Sequence, residues 1–414
     1  MASTSAGLAL YGAVAVPARM AGAGLPSALL LGVIAASGSV SEASLLIATA
    51  TGVAAVMGPV SGACVDRVEH PKRAYLAALA TVCIASALLA VGIGRWPTPV
   101  LVIVCVAAGL GFPFFLGALS AQLRRIAPEA DPARAYSVDV GTYNVAEIAG
   151  PAIVGVAYIV DAAMPGAASL EVVTLLYVVA LGVLLFVPVP ARSVTHAAPP
   201  QSWMQSLGAL SVMWTSPSLR RTTVISVIAH VAIACYVVSM PLLAQDLAGD
   251  PGFGPLVLAI TACGALVGSV LLARRPIRRR GPGTLVASLT LALGVILAAM
   301  SVVPVFVLVI PLAFLFGLSE APQLSSVLQV RDRESPVSSR ALVFATGASL
   351  KVGAFAVGSL LAGALAAEGW RTILLVAALV EVIAVAAGLL VAPPRRTRAL
   401  PGNIVDRQPT APSE

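Results

Sequence analysis

Apolar residues run along the chain in continuous stretches that short polar gaps separate. A helical stretch of about 20 residues crosses a hydrocarbon core about 30 Å thick, so each stretch predicts a membrane span. The pattern predicts twelve spans. The ninth and tenth are divided only at Val303-Pro304, and a kink there in place of a turn would reduce the number of spans to eleven. The twelve predicted spans are 7–36, 43–63, 74–94, 98–121, 136–160, 169–188, 222–245, 254–273, 283–303, 304–324, 341–366 and 370–392.

Basic residues in the gaps predict the orientation of these spans. Only Arg95 and Arg371 fall in gaps on one side, while Arg19 and Lys351 fall within spans. The other Lys and Arg residues, out of 25, lie in the alternate gaps and in the C-terminal tail. Because lysine and arginine collect on the cytoplasmic side, we expect both termini there, in a plasma membrane. Eleven spans would break this alternation, so the pattern favours twelve.

The composition agrees with a membrane protein and excludes several other classes. Hydrophobic residues make up 59% of the chain and charged residues 10%, whereas globular proteins carry about 25% charged residues. We therefore predict an all-α integral membrane protein that contacts membrane lipids. Orientation explains the net charge of +7, so no nucleic-acid partner is expected. The five cysteines and three histidines lack metal-ligand spacing, and no phosphate-binding loop is present; we expect no metal, no cofactor and no ATP-driven pump.

The polar gap in the middle of the chain divides it into two bundles of six spans. Within this gap Trp203, Leu207, Leu210 and Trp214 recur at helical spacing, which is typical either of a helix in the headgroup layer or of an ordinary linker. The predicted organisation is a bundle at 1–188, a cytoplasmic linker at 189–221, a second bundle at 222–392 and a cytoplasmic tail at 393–414.

The two halves also share an internal repeat. A constant offset of 206 residues pairs Gly62 with Gly268 and Arg125 with Arg331, and it also pairs Gly141 with Gly347. Parallel repeats of this kind are typical of transporter halves that enclose a substrate site near the midplane.

The most specific motif follows the second span. Gly62 and the pair Asp66-Arg67 precede the basic pair Lys72-Arg73. This segment resembles the G-x-x-x-D-R signature of the major facilitator superfamily, and the resemblance implies two pseudo-symmetric six-helix bundles that act as a transporter. The loop residues would then pair or cap helix ends and favour one access state.

A second motif lies in the fifth span. Gly150-Pro151 and Gly155 resemble the Gly-Pro signature of the drug/proton antiporters of that superfamily. The lysine-poor composition, rich in Ala, Gly, Val and Arg, resembles that of actinobacterial chains, in which such proteins often export antibiotics or secreted metabolites. A Gly-Pro pair loosens a helix and suits a gate. Position 154 is Val where the signature has Gly, and the fourth span lacks the usual arginine before Gly109.

Ionisable residues inside spans are candidates for function because they are costly in lipid. Arg19 lies about 12 residues into the first span and Glu147 about 11 into the fifth, so each is roughly 16–18 Å deep. We predict that they pair across the central cavity, either as a fixed bridge or as a switch in which Glu147 takes up a proton.

The second half and the fifth span supply the other candidate cavity residues. Glu320 and Lys351 could pair, either structurally or around substrate. His230 fits a hydrogen-bonded core residue or a proton relay, and Tyr143 and Asn144 are candidate polar groups of the cavity.

These features favour a secondary transporter, working as a monomer, over an integral membrane enzyme, a receptor or a channel. The predicted cavity is apolar, which suits a small hydrophobic, amphiphilic or cationic molecule. The motifs favour proton-coupled efflux of a drug or secreted metabolite, and proton-coupled uptake of a metabolite is the alternative.

Overall fold

The computed structural model describes residues 2–115, 117–127, 130–161, 164–187, 189, 211–274, 281–336 and 339–392. The helices of the first half are α1 (Ala2–Ser37), α2 (Val40–Arg67), α3 (Pro71–Gly92), α4 (Thr98–Gly111), α5 (Gly117–Ile126), α6 (Pro132–Val160) and α7 (Pro165–Phe186). Those of the second half are α8 (Pro217–Ala248), α9 (Phe253–Arg274), α10 (Pro282–Ser301), α11 (Val309–Glu334), α12 (Arg340–Ala364) and α13 (Gly369–Val391). The described residues contain no strand, which confirms the all-α prediction.

The helices reproduce the predicted spans. Eleven of them are long and apolar enough to cross a membrane, and Thr98–Phe114 is a shorter apolar helix. The boundary at Val303-Pro304 is a turn between two helices and not a kink within one. Helix α10 ends at Ser301, and α11 begins at Val309 after a 3₁₀ turn at Phe306–Leu308. The described helices therefore pass through the bundle twelve times, with α4 and α5 together forming the fourth passage.

The break between α4 and α5 corrects the prediction of one continuous fourth span. After Gly111 the chain forms a 3₁₀ turn over Phe112–Phe114 before α5 begins at Gly117. Pro113 cannot donate a backbone hydrogen bond inside a helix. Gly111 also lets α4 approach α3 closely, since a Cβ there would lie 2.8 Å from the carbonyl oxygen of Ala78.

Start signals in the sequence position the helices around the middle of the chain. The side chain of Ser216 accepts the backbone N–H of Leu219, and Pro217 follows at the first helical position. As a result α8 begins inside the segment predicted as linker, at Pro217 instead of 222. Of the predicted interfacial helix, 201–210 lie outside the described residues, while 211–215 are helical and Trp214 is exposed. The predicted tail at 393–414 also lies outside them.

The two halves meet along small residues. Helix α2 packs against α12, and α6 packs against α9. The Ser41 hydroxyl donates a hydrogen bond of 2.7 Å to the carbonyl oxygen of Gly363. We call the ends of the bundle the basic side, where α2 ends and α3 begins, and the opposite side, where α1 ends and α2 begins. The Ser41–Gly363 contact therefore closes the halves against each other at the opposite side.

Candidate functional site

The first polar centre of the protein is a buried network around Arg19 on α1. The Arg19 side chain is 1% exposed. Its Nε donates to the carbonyl oxygen of Phe115 over 3.0 Å, at the break between α4 and α5. Its Nη2 donates to the hydroxyl of Ser120 on α5 over 2.9 Å. Arg19 therefore fastens the broken fourth passage to α1 through backbone and side-chain acceptors.

The counter-charge of Arg19 is Asp139 on α6. Its Oδ1 lies 2.8 Å from Nη1 of Arg19 and also accepts hydrogen bonds from the hydroxyls of Tyr11 and Ser120. The hydroxyl of Thr142 accepts a further bond from Nη1. A buried charge is tolerated when it is paired and its remaining donors are satisfied, and this network meets both conditions for Arg19.

The predicted pair of Arg19 with Glu147 is therefore wrong in its acidic partner. Glu147 follows Asp139 by eight positions on α6, which is about 12 Å further toward the opposite side. Its side chain is solvent-accessible although protein surrounds it, as is typical of a group that lines a cavity.

The second polar centre lies across the boundary between the halves. Glu147 on α6 interacts electrostatically with Glu320 on α11, and Glu320 interacts with Lys351 on α12. Within the described parts of these helices no direct ion pair joins the predicted partners Glu320 and Lys351, although they interact electrostatically. Two carboxylates from different halves therefore lie within electrostatic range of each other, and Glu320 is also within range of one ammonium.

His230 adds an imidazole to this second centre. Its Nδ1 lies 3.0 Å from the carbonyl oxygen of Ser226, one turn earlier on α8. A donating Nδ1–H leaves Nε2 as an acceptor. The ring also interacts electrostatically with Lys351 and Arg331, so His230 lies near the two cationic side chains of the second centre.

Tyr143 connects the two centres. Its ring centroid lies 3.7 Å from Cζ of Arg19, which is a cation–π contact. It also precedes Glu147 by one helical turn and interacts with it electrostatically. Asn144 is partly buried beside Tyr143 on α6, and its role as a cavity group stays a prediction.

The motif loop after α2 lies at the basic side, as its sequence predicts. Lys72 donates a hydrogen bond of 2.8 Å to the carbonyl oxygen of Leu185 in the last turn of α7, where a cation favours the helix dipole. Arg73 is exposed in the first turn of α3. The side chains of Asp66 and Arg67 and the surroundings of Gly62 lie outside the described part of the molecule, so the role of these residues stays a prediction.

The Gly-Pro motif lies where α6 approaches two other helices. A Cβ at Gly150 would lie 2.4 Å from the carbonyl oxygen of Met20 on α1, and one at Gly155 would lie 2.6 Å from that of Gly252 before α9. Pro151, between them, is buried within α6. The motif therefore permits close contact of α6 with its own half at Gly150 and with the other half at Gly155.

We expect Gly155→Leu to prevent the halves from closing at the opposite side, because its side chain would overlap the backbone at Gly252. The measurement is labelling, by a membrane-impermeant maleimide, of a cysteine placed at Ser44, which is buried against Gly363, in a background without the native cysteines. Labelling should rise several-fold in Gly155→Leu. Gly182→Leu on α7, where a Cβ meets nothing within 4 Å, should leave it unchanged. Equal labelling in both variants would show that Gly155 does not control closure.

Two buried charged residues, Asp139 and Arg331, were not identified from the sequence as site candidates. Asp139 lies about two turns into α6 because the helix begins at Pro132, whereas a predicted start at 136 places it at the helix end. Arg331 is 2% exposed although it occurs in a run that otherwise reads as loop arginines. Both lie where a helix extends beyond its apolar run, Asp139 in the second turn of α6 and Arg331 in the last turn of α11.

Comparisons with known proteins agree with this architecture. The profile of the Major Facilitator Superfamily matches residues 11–346 and 224–412. A comparison with curated protein sequences finds no match.

Solved transporter structures share the fold over nearly their whole length. The nucleoside transporter NupG has a TM-score of 0.75 at 13% identity, with 93% of this chain and 98% of that chain covered. A bacterial homolog of the human lysosomal transporter Spinster, in an inward-facing and unoccupied conformation, has a TM-score of 0.71 at 12% identity, covering 94% and 97%. A POT family transporter in complex with a thioalcohol-conjugated peptide has a TM-score of 0.70 at 12% identity, covering 93% and 95%. The chain belongs to the Major Facilitator Superfamily and is a multi-pass membrane transporter of small molecules.

Proposed function

We propose that this transporter uses proton movement to export a small hydrophobic or amphiphilic molecule by alternating access. The observation that carries the proposal is the electrostatic interaction between two carboxylates, Glu147 and Glu320, that belong to different halves. Protons are the coupling ion in this account, and Glu147 is the group that takes them up.

Charge repulsion between Glu147 and Glu320 in a medium of low dielectric constant links the proton to the arrangement of the halves. Two ionised carboxylates that share a poorly solvated region repel each other strongly, and one proton relieves this repulsion. Because Glu147 and Glu320 belong to different halves, their repulsion acts on the arrangement of the halves. Protonation of Glu147 therefore favours their approach, and loss of the proton favours their separation.

The contacts between the halves supply the second part of the proposal. Gly155 and Gly363 allow close contacts between the halves at the opposite side. A ligand that binds one arrangement better shifts the population of the two. We place the basic side in the cytoplasm of a plasma membrane, with both termini there.

The substrate class follows from the scarcity of polar groups along the spans and from the Gly-Pro element. Uptake of a metabolite is the competing direction, and nucleosides and peptides are the substrates to test for it, since similar folds bear those names.

Dye accumulation in cells with and without the protein tests the proposal. The panel consists of ethidium, rhodamine 6G, Nile red and fluorescein, so that cationic, neutral and anionic molecules are represented. The protein should lower the accumulation of at least one dye, and a protonophore should restore it. Equal accumulation of every dye contradicts export, and faster entry of labelled nucleosides or peptides would establish uptake instead.

A further inference from the structure

Arg331 on α11 is a second fully buried arginine whose surroundings differ from those of Arg19. It is 2% exposed, yet its Nε and Nη2 have no hydrogen-bond partner among the described residues. Arg19, in contrast, donates to Asp139, Thr142 and several other acceptors. Leaving a buried charged donor unsatisfied is costly, so an acceptor for Arg331 is missing.

The second half has no carboxylate where Asp139 lies in the first half. The offset that pairs Gly141 with Gly347 pairs Asp139 with Ala345. Asp139 pairs with Arg19, whereas Arg331 is the repeat counterpart of Arg125. No side chain within the described ranges forms an ion pair with Arg331.

The guanidinium of Arg331 lies against a backbone position without a side chain. A Cβ at Gly347 would fall 2.3 Å from Cζ of Arg331, so the guanidinium occupies the space over Gly347 on α12. Lys351 is one turn further along the same face of α12 and interacts electrostatically with Arg331. His230 on α8 interacts with both. Three nitrogen-bearing side chains from three helices thus converge.

The direction of the Arg331 side chain places this cluster inside the bundle. Side chains of a helix lean toward its N-terminus, which for α11 lies at the opposite side, so Arg331 leans away from the basic side. Gly347, which it covers, is about two turns inside α12. Glu320 interacts electrostatically with Lys351 and with Glu147 of the other half, so the cluster lies near these two carboxylates.

We propose that Arg331 and Lys351 form a subsite for an anionic group of the transported molecule, a carboxylate or a phosphate. The transported amphiphile then carries an acidic end that supplies the missing acceptor. This inference rests on the proposed transport function, and it names the substrate class of the same cavity. An arginine is well suited to such a group because its planar fork binds carboxylate and phosphate oxygens in pairs.

Binding of matched acids and esters tests the subsite without any proton gradient. The probes are dansylglycine and indole-3-acetate, each compared with its own methyl ester. Calorimetry is performed on the full-length protein in nanodiscs of phosphatidylcholine at one pH. At least one acid should bind about tenfold more tightly than its ester, as a charge-assisted hydrogen bond predicts. If neither acid binds more tightly than its ester, the subsite is refuted.

Substitution then assigns the preference to Arg331. Arg331→Gln should reduce the affinity of the acid to that of the ester and leave the ester unchanged, whereas Arg333→Gln, at an exposed position of the same helix, should change neither. Lys351→Gln provides a second variant and should weaken acid binding several-fold. An acid preference that survives Arg331→Gln overturns the assignment.

Protein stability separates an empty subsite from a structural arginine. Because Arg331 lacks an acceptor, Arg331→Met should raise the melting temperature of the ligand-free protein by a few degrees. A large decrease would show that Arg331 has a structural partner and would overturn the proposal.

A lipid headgroup is the other source of the same chemistry. Exchange of phosphatidylcholine for phosphatidylglycerol should leave acid binding unchanged. If phosphatidylglycerol instead abolishes the acid preference and stabilises the wild type but not Arg331→Gln, the subsite belongs to lipid and the assignment to substrate is wrong. Acid binding without proton-driven transport would retain the subsite and refute only the coupling.

Discussion

Glu147→Gln is expected to abolish accumulation driven by a proton gradient while retaining folded protein that exchanges its substrate. Gln keeps the size of Glu147 but cannot take up or release a proton. The repulsion that Glu147 exerts on Glu320 across the halves is then permanently absent, as in the protonated state. In proteoliposomes, gradient-driven transport of the dye that cells export most strongly should fall to the level of empty vesicles. Exchange of labelled for unlabelled dye should persist.

The matched control is Glu171→Gln on α7, where the carboxylate is exposed and belongs to the first half alone. This variant should transport like the wild type. If Glu147→Gln also transports normally under a gradient, Glu147 does not couple transport to protons. Loss of exchange together with loss of driven transport would instead indicate that Glu147 binds the substrate.

Asp139→Asn is expected to have the largest effect on stability. It removes the negative charge that lies 2.8 Å from Arg19 and leaves a buried guanidinium uncompensated, which typically costs about 3–5 kcal/mol. The measurement is thermal unfolding of the purified protein in detergent. Asp131→Asn is the control, because Asp131 is exposed at the start of α6 and Asn is about as good a helix cap as Asp.

A double variant distinguishes loss of charge from general disruption. Arg19→Met combined with Asp139→Asn removes both charges, so the doubly substituted protein should be more stable than Asp139→Asn alone. If the two substitutions instead destabilise the protein additively, the Arg19–Asp139 pair does not hold α1 and α6 together, and the network would have to be reinterpreted.

The sequence predicts most of this fold because lipid imposes a simple rule. Each helix must satisfy its own backbone hydrogen bonds and present apolar side chains. The apolar runs and the alternation of basic loops therefore predict the number of spans and the turn at Val303-Pro304. The break at Gly111 could not, because apolar residues continue through Pro113 and only the approach of α3 and Arg19 shows where the helix stops.

The site was predictable in its components and less so in its partners. Charges inside spans are conspicuous, so Arg19, Glu147, Glu320 and Lys351 could be identified from the sequence. Partner choice depends on depth and on the direction of each side chain. Depths counted from the edges of apolar runs place Arg19 level with Glu147, whereas polar first turns extend α6 beyond its apolar run and bring Asp139 to Arg19. The same effect conceals Arg331 among the loop arginines.

Proton movement during transport tests the coupling between the carboxylates and the two halves most directly. Proteoliposomes are loaded with a pH-sensitive fluorophore and given a gradient of the exported dye, with no initial difference in pH. If export is coupled to protons through Glu147, dye flow through the wild-type protein drives protons in the opposite direction, and dye flow through Glu147→Gln drives none. Dye flow through the wild-type protein without any change in internal pH would contradict proton-coupled export.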